Sequence, residues 1–253
     1  MAAAGGDEIM DHMPGVLDAV KRAYLDLRDI YEHLFNLAIM ALALALVVSA
    51  VGYFLSGAGL GFFGQLFRLV AHIAFGFVIA PYLIAVHRLI LLGEATDRYE
   101  FAPGDVRLQQ FLGWTVVFAL LSAAPRVIPR ILPFPQILQG MLGLVIAVAV
   151  VVVVVRLILI LPAVAVDSSR VTWQNAMADT AGYGWRIFLI GIATALPAAL
   201  AGMVVSMIFV AMGFGVFEFV AILIQGAVAV VMASLLAAIA SRLYQSIGDR
   251  VRA

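Results

Sequence analysis

Twenty-three consecutive residues, Leu34–Ser56, carry no charge. That is enough helix to cross the ~30 Å hydrocarbon core of a bilayer, for which roughly 20 apolar residues suffice. Inside lipid the backbone must satisfy its own polar groups, so such a stretch is held to helix.

The pattern recurs along the chain. Residues 69–86 run from Leu69 to Val86 and end at His87-Arg88. A shorter run reaches from Phe111, or Leu108, to Ala124. Ile137–Val166 is interrupted once, by Arg156, and Ile187–Met212 and Phe219–Ala240 complete six. The third run, 108–124, is the weakest. Pro125, Pro129, Pro133 and Pro135 oppose a straight extension, leaving a short tilted span or half of a re-entrant hairpin with the start of the fourth.

Composition agrees. Only 12% of residues are charged and 65% are apolar, against about 25% charged in soluble domains. Fifteen cationic and fifteen anionic residues cancel, which leaves no basic field for nucleic acid. The absence of cysteine removes disulfides, thiolate metal sites and thiol nucleophiles. One lysine against fourteen arginines fits a G+C-rich bacterial genome. Residues 1–13 carry acids rather than a basic leader, so the first span is expected to remain in the mature protein.

The expected fold is therefore an all-α integral membrane protein: a six-helix transmembrane bundle with an N-terminal amphipathic interfacial helix. One domain covers 14–247, between tails at 1–13 and 248–253, with spans at 34–56, 69–86, 108–124, 137–166, 187–212 and 219–240. With six crossings, one side receives eleven Lys and Arg residues and the other receives three: Arg68, Arg126 and Arg130. Arg156 is left aside. That bias places both termini in the cytoplasm and the chain in a bacterial inner membrane.

Three segments are expected on the membrane surface. Residues 14–33 place Val16, Val20, Tyr24, Leu27 and Tyr31 on one helical stripe. The loop after the second span turns at Pro103-Gly104, where Asp105 can cap a helix. After the fourth span Thr172 can cap a short helix that ends at Gly182 and Gly184, and Trp185-Arg186 anchor the next span. Small residues mark where helices approach: Ala41, Ala45 and Ser49; Gly191, Ala195 and Ala199; and Ala229, Ala233, Ala237 and Ser241. They imply a bundle built on spans one, five and six, with the valine wall of span four (Val148, Val150–Val155) partly facing lipid.

Few polar groups remain as candidates for function. Arg156 lies ten residues before Val166, about 15 Å along a helix. It is either near the bilayer centre, facing an interior, or close to the end of a shorter span with its side chain snorkelling to the surface. Glu218 and Gln225 share one face of the sixth span. They either line a polar path for a cation or proton, or are an interfacial acid and an interhelical amide. His72 and His87 sit near opposite ends of span two, too far apart to share a metal, and read as interfacial. GAGLGFFG (Gly57–Gly64) reads as a flexible turn.

No phosphate-loop, nucleophile-elbow or metalloprotease pattern occurs. No enzymatic activity and no cofactor are expected. The partners expected are membrane lipids, with other membrane proteins or a second copy of the chain as further candidates.

Four stretches carry a resemblance. They are RLILLGE (Arg88–Glu94), the run from Arg156 through Pro162-Ala-Val-Ala-Val to Asp167, GYGWRIF (Gly182–Phe188) and SRLYQSI (Ser241–Ile247). Over residues 14–247 the chain resembles the bacterial YciC-like membrane proteins and the membrane domain attached to some glycerophosphodiester phosphodiesterases. The resemblance implies a six-helix membrane domain with a role in the envelope. The phosphodiesterase chemistry belongs to a separate soluble barrel and is not implied.

Overall fold

A computed structural model describes residues 13–57, 61–212 and 216–252, with the backbone alone at 53–57, 61–63, 65, 68, 210 and 216–219. The tail before Met13, the centre of the Gly57–Gly64 loop and the Glu218 side chain lie outside what is described. Helices are α1 (Val16–His33), α2 (Phe35–Gly57), α3 (Gly61–Leu92), α4 (Val106–Ile131), α5 (Gln136–Leu157), α6 (Ile160–Ala165), α7 (Trp173–Asp179), α8 (Gly184–Ala211), α9 (Val216–Ile247) and α10 (Asp249–Arg252). Among the described residues there is no strand. Six segments are long and apolar enough to cross a membrane, carried by α2, α3, α4, α5 with α6, α8 and α9. The protein is a polytopic α-helical integral membrane protein.

The third span is not cut short at Ala124. α4 is one 26-residue helix that runs through Pro125 and Pro129. A proline inside a helix leaves the carbonyl four residues earlier without its N–H donor, and for Pro129 that carbonyl belongs to Pro125. α5 presents Gly143 there: a Cβ built on Gly143 would lie 3.0 Å from the Pro125 oxygen, so the glycine lets the two helices approach closely at that carbonyl.

The fourth span differs the other way. Instead of one helix from Ile137 to Val166, α5 stops at Leu157, and α6 starts at Ile160 after a turn. Pro162 explains the break, because its ring opposes the carbonyl of Ile158 and offers it no hydrogen. Asp167, in a left-handed conformation (φ 56°), then turns the chain out of α6.

The centre of the bundle is α3 and α9, each with 39% of its crossing window buried, against 11% for α4. α9 packs on α8, α2 and α3, and α3 also packs on α2 and α4. The expected core of spans one, five and six is thus corrected: span two replaces span five beside α2. On α2, Ala41 and Ala45 are fully buried, as small contact residues should be. On α8 the stripe is displaced. Gly191 has open space around its Cα, whereas a Cβ at Gly202 would meet Val228 of α9 at 2.6 Å. The contacting face of α8 is Ile187, Ile190, Thr194, Gly202 and Ser206, all buried. The valine wall of α5 is exposed at Val148, Val151 and Val152.

α1 is not among the segments apolar enough to cross a membrane, and part of its apolar stripe packs on the protein core. The helix packs on α8 and α9 and buries Ala23, Asp26 and Ile30. Val16, Val20, Tyr24, Leu27 and Tyr31 are half-buried along one side of that line. An acid at the centre of the buried face sets the rotation of the helix, for a reason given below. Asp105 accepts from the backbone N–H of Arg107 at 2.9 Å, and Thr172 from that of Asn175 at 3.2 Å, so both helices start at their caps.

Candidate functional site

Arg156 is the penultimate residue of α5, and the path of the chain after α6 brings α7 back against it. Its Nη1 donates to the Thr180 carbonyl at 3.3 Å, and the Thr180 hydroxyl donates to the Arg156 carbonyl at 3.0 Å. Thr180 is itself buried at the end of α7. Gly182, with φ at +84°, lets the chain turn tightly into α8. The Arg156 side chain therefore lies alongside Gly184, the first residue of α8, where the ends of α5, α7 and α8 meet.

Beyond Arg156 runs a groove of about 470 Å³, walled by Val148, Val151, Val152 and Val155 of α5 and by Phe188 of α8. Trp185 stands at the same end as Arg156, its ring 5.4 Å from that of Phe188. The groove is apolar nearly throughout, with Arg156 as the charged residue on its wall.

Gln225 lies elsewhere. It lines two further clefts, one of about 380 Å³ with Ser49, His72 and Phe75, and one of about 750 Å³ with Gly202, Met203, Ser206 and Met207. Neither cleft shares a lining residue with the Arg156 groove. Arg156 and Gln225 are not brought together, and the side chain of Glu218 is not described. The buried Ser206 hydroxyl has no partner among the described residues. His72 is exposed in the first cleft, its Nε2 3.4 Å from the Ser122 hydroxyl.

His87 is buried among the helices: its Nδ1 pairs with the Ser241 hydroxyl at 2.8 Å and its ring lies against Phe111. Among the described residues, no three His, Cys, Asp or Glu side chains converge as metal ligands would.

Sequence reasoning missed an ionic lattice at the end of the bundle that carries both α1 and α10, the terminal end. Arg107 grips Asp167 with two nitrogens, at 2.8 and 2.5 Å, and Arg88 reaches the same carboxylate at 3.5 Å. Arg88 also bonds Glu94 and the Ala165 carbonyl. Arg242 of α9 holds Asp26 of α1 with two bonds, at 2.8 and 2.5 Å. Asp179 accepts the backbone N–H groups of Arg250 and Val251, so α7 caps α10, while burial pushes its carboxyl above the usual range. Ser168 donates to the Val251 carbonyl. The signal for one of these was present: Asp26 sits among apolar residues of α1, where an unpaired acid would not be left.

Comparison with family models, with curated proteins and with solved structures gives no match.

Proposed function

We propose that this is a non-enzymatic protein of the bacterial cytoplasmic membrane that acts through contacts with lipid. One observation carries the reading: the clefts are grooves between neighbouring helices, open to the side, with apolar walls and isolated polar groups. Exposed residues line them, Val148 and Val152 in one and Met203 and Met207 in another. That is the shape and chemistry of lipid chains lying against protein, not of a water-filled path between two membrane surfaces. A small transporter with Arg156, Glu218 and Gln225 on one route has less support, because Arg156 and Gln225 open onto different grooves. The YciC-like resemblance points to the same envelope setting, and the eleven-to-three cation bias supports an orientation with both termini in the cytoplasm.

Two measurements test this reading. Native mass spectrometry of the protein released from a mild detergent should show bound phospholipid, and its complete removal should lower thermal stability. A protein that stays equally stable when stripped of lipid would overturn the reading. Reporter fusions at residues 100 and 134 and at the C-terminus should report inside, outside and inside. A C-terminus outside would overturn the orientation.

A further inference from the structure

The groove between α5 and α8 ends on a charge, and the pairing identifies its occupant. Arginine offers five N–H donors in a planar fork that suits phosphate. At Arg156 the Thr180 carbonyl takes one of them, at 3.3 Å. Among the described residues no carboxylate lies within ion-pair distance of it, whereas Arg88, Arg107 and Arg242 each face an acid. The side chain is half-buried and is tied to Thr180 through Nη1, while the Arg156 carbonyl accepts from the Thr180 hydroxyl, so little freedom remains to be lost on binding. Trp185, which is exposed, stands beside it at the head of an otherwise apolar groove, and tryptophan favours the headgroup level of a bilayer. A cation, an interfacial ring and an apolar trough, in that order, match a phosphodiester, a glycerol backbone and an acyl chain.

We propose that this groove seats an anionic phospholipid from the leaflet on the terminal side, with its phosphate on Arg156 and one acyl chain along Val148, Val152 and Phe188. The proposal rests on the lipid-contact reading above and narrows it to one site and one headgroup charge.

The test uses the full chain, purified and delipidated in detergent. It is titrated separately with dioleoyl phosphatidylglycerol, dioleoyl phosphatidylcholine and inorganic phosphate, with bound lipid read by native mass spectrometry. The wild type should bind phosphatidylglycerol more tightly than phosphatidylcholine. Arg156→Gln, which removes the charge and keeps a polar side chain, should bind phosphatidylglycerol about tenfold more weakly, as the loss of a charged hydrogen bond implies, with phosphatidylcholine unchanged. Val152→Trp, which fills the groove from an exposed position, should weaken both lipids. It carries the test if Arg156→Gln fails to fold. Inorganic phosphate should neither bind nor compete. Equal affinity of the wild type and Arg156→Gln for phosphatidylglycerol would overturn the seat while leaving the lipid-contact reading intact. Phosphate competing as well as the lipid would show that the anion is not a lipid headgroup and would also overturn it. Failure of the wild type to retain either lipid would overturn both.

Discussion

The two ends of this bundle are built on different principles. At the terminal end α1, α3, α4, α6, α7, α9 and α10 are joined by arginine–carboxylate pairs and by side chains bonded to carbonyls, over a core of buried Leu159, Ile160, Ile187, Leu235 and Leu243. Towards the far end, helices meet through small residues and leave grooves, and polar ties reduce to a long contact between His72 and Ser122 and to local ones such as Arg126 to the Ser122 carbonyl and Gln139 to the carbonyls of Leu132 and Phe134. A buried ion pair ties one geometry, because breaking it strands a charge. Apolar contact between helices in lipid gives no such penalty, since a lipid chain replaces the lost neighbour at little cost. Rigidity should therefore be concentrated at one end and lipid exchange at the other. The Arg156 groove starts on the rigid end and runs towards the open one.

The largest effect should come from breaking the clasp between α1 and α9. Arg242→Ala would leave the carboxylate of Asp26, only 5% exposed, without its partner, at a cost of about 3 kcal/mol or more. Thermal unfolding in detergent should show a large drop and early proteolysis of α1. Wild-type stability would mean that the terminal end is not held by its charges.

Next comes a pair of glycines. A Cβ at Gly76 would lie 2.3 Å from the Thr115 methyl, and that side chain cannot easily turn away because its hydroxyl bonds the Phe111 carbonyl at 2.9 Å. Gly76→Ala should cost about 1–3 kcal/mol through overpacking. Gly191→Ala, with open space around it, should instead gain up to about 1 kcal/mol from helix propensity. Equal unfolding temperatures for the two variants would refute the assignment of helix faces.

The smallest effect concerns Tyr99, in the loop between α3 and α4. Its hydroxyl is buried without a partner among the described residues, and burial pushes the phenol up to about 12. A raised folded-state value means stability is flat below about pH 10, the unfolded value, and falls between there and about pH 12. Tyr99→Phe should be neutral or slightly stabilising at pH 7 and should remove that part of the alkaline loss. A clear destabilisation at neutral pH would reveal a partner for the hydroxyl.

The six crossings were legible because their signal is length and apolarity, which the bilayer imposes on each segment separately. Helix ends were less so. A break precedes Pro162, whereas α3, α4 and α8 run through Pro81, Pro125, Pro129 and Pro197, and no local pattern separates the two cases. Helix faces failed for a related reason. The stripe at Gly191, Ala195 and Ala199 satisfied the spacing rule, but the neighbouring line through Gly202 made the contact, and in so apolar a helix every face carries small residues. Arg156 stood out as a lone charge in an apolar run. Its bond to Thr180 did not, because that depends on how two turns bring α7 back. The ion pairs were hidden for the same reason, since each joins elements far apart in sequence.

The bond between Asp26 and Arg242 spans 216 residues. At a synthesis rate of about 5–20 residues per second, Arg242 leaves the ribosome roughly 10–40 s after Asp26. During that interval α1 has no seat, because its groove is made by α8 and α9, which do not yet exist. The helix must wait at the membrane surface with Asp26, Ala23 and Ile30 exposed to whatever lies there. Closure of α1 onto its groove then marks completion of the bundle, and an unclosed α1 displays an acid flanked by apolar side chains. Quality-control proteases that survey the membrane surface would meet in that one helix a direct report of whether the rest of the chain has inserted.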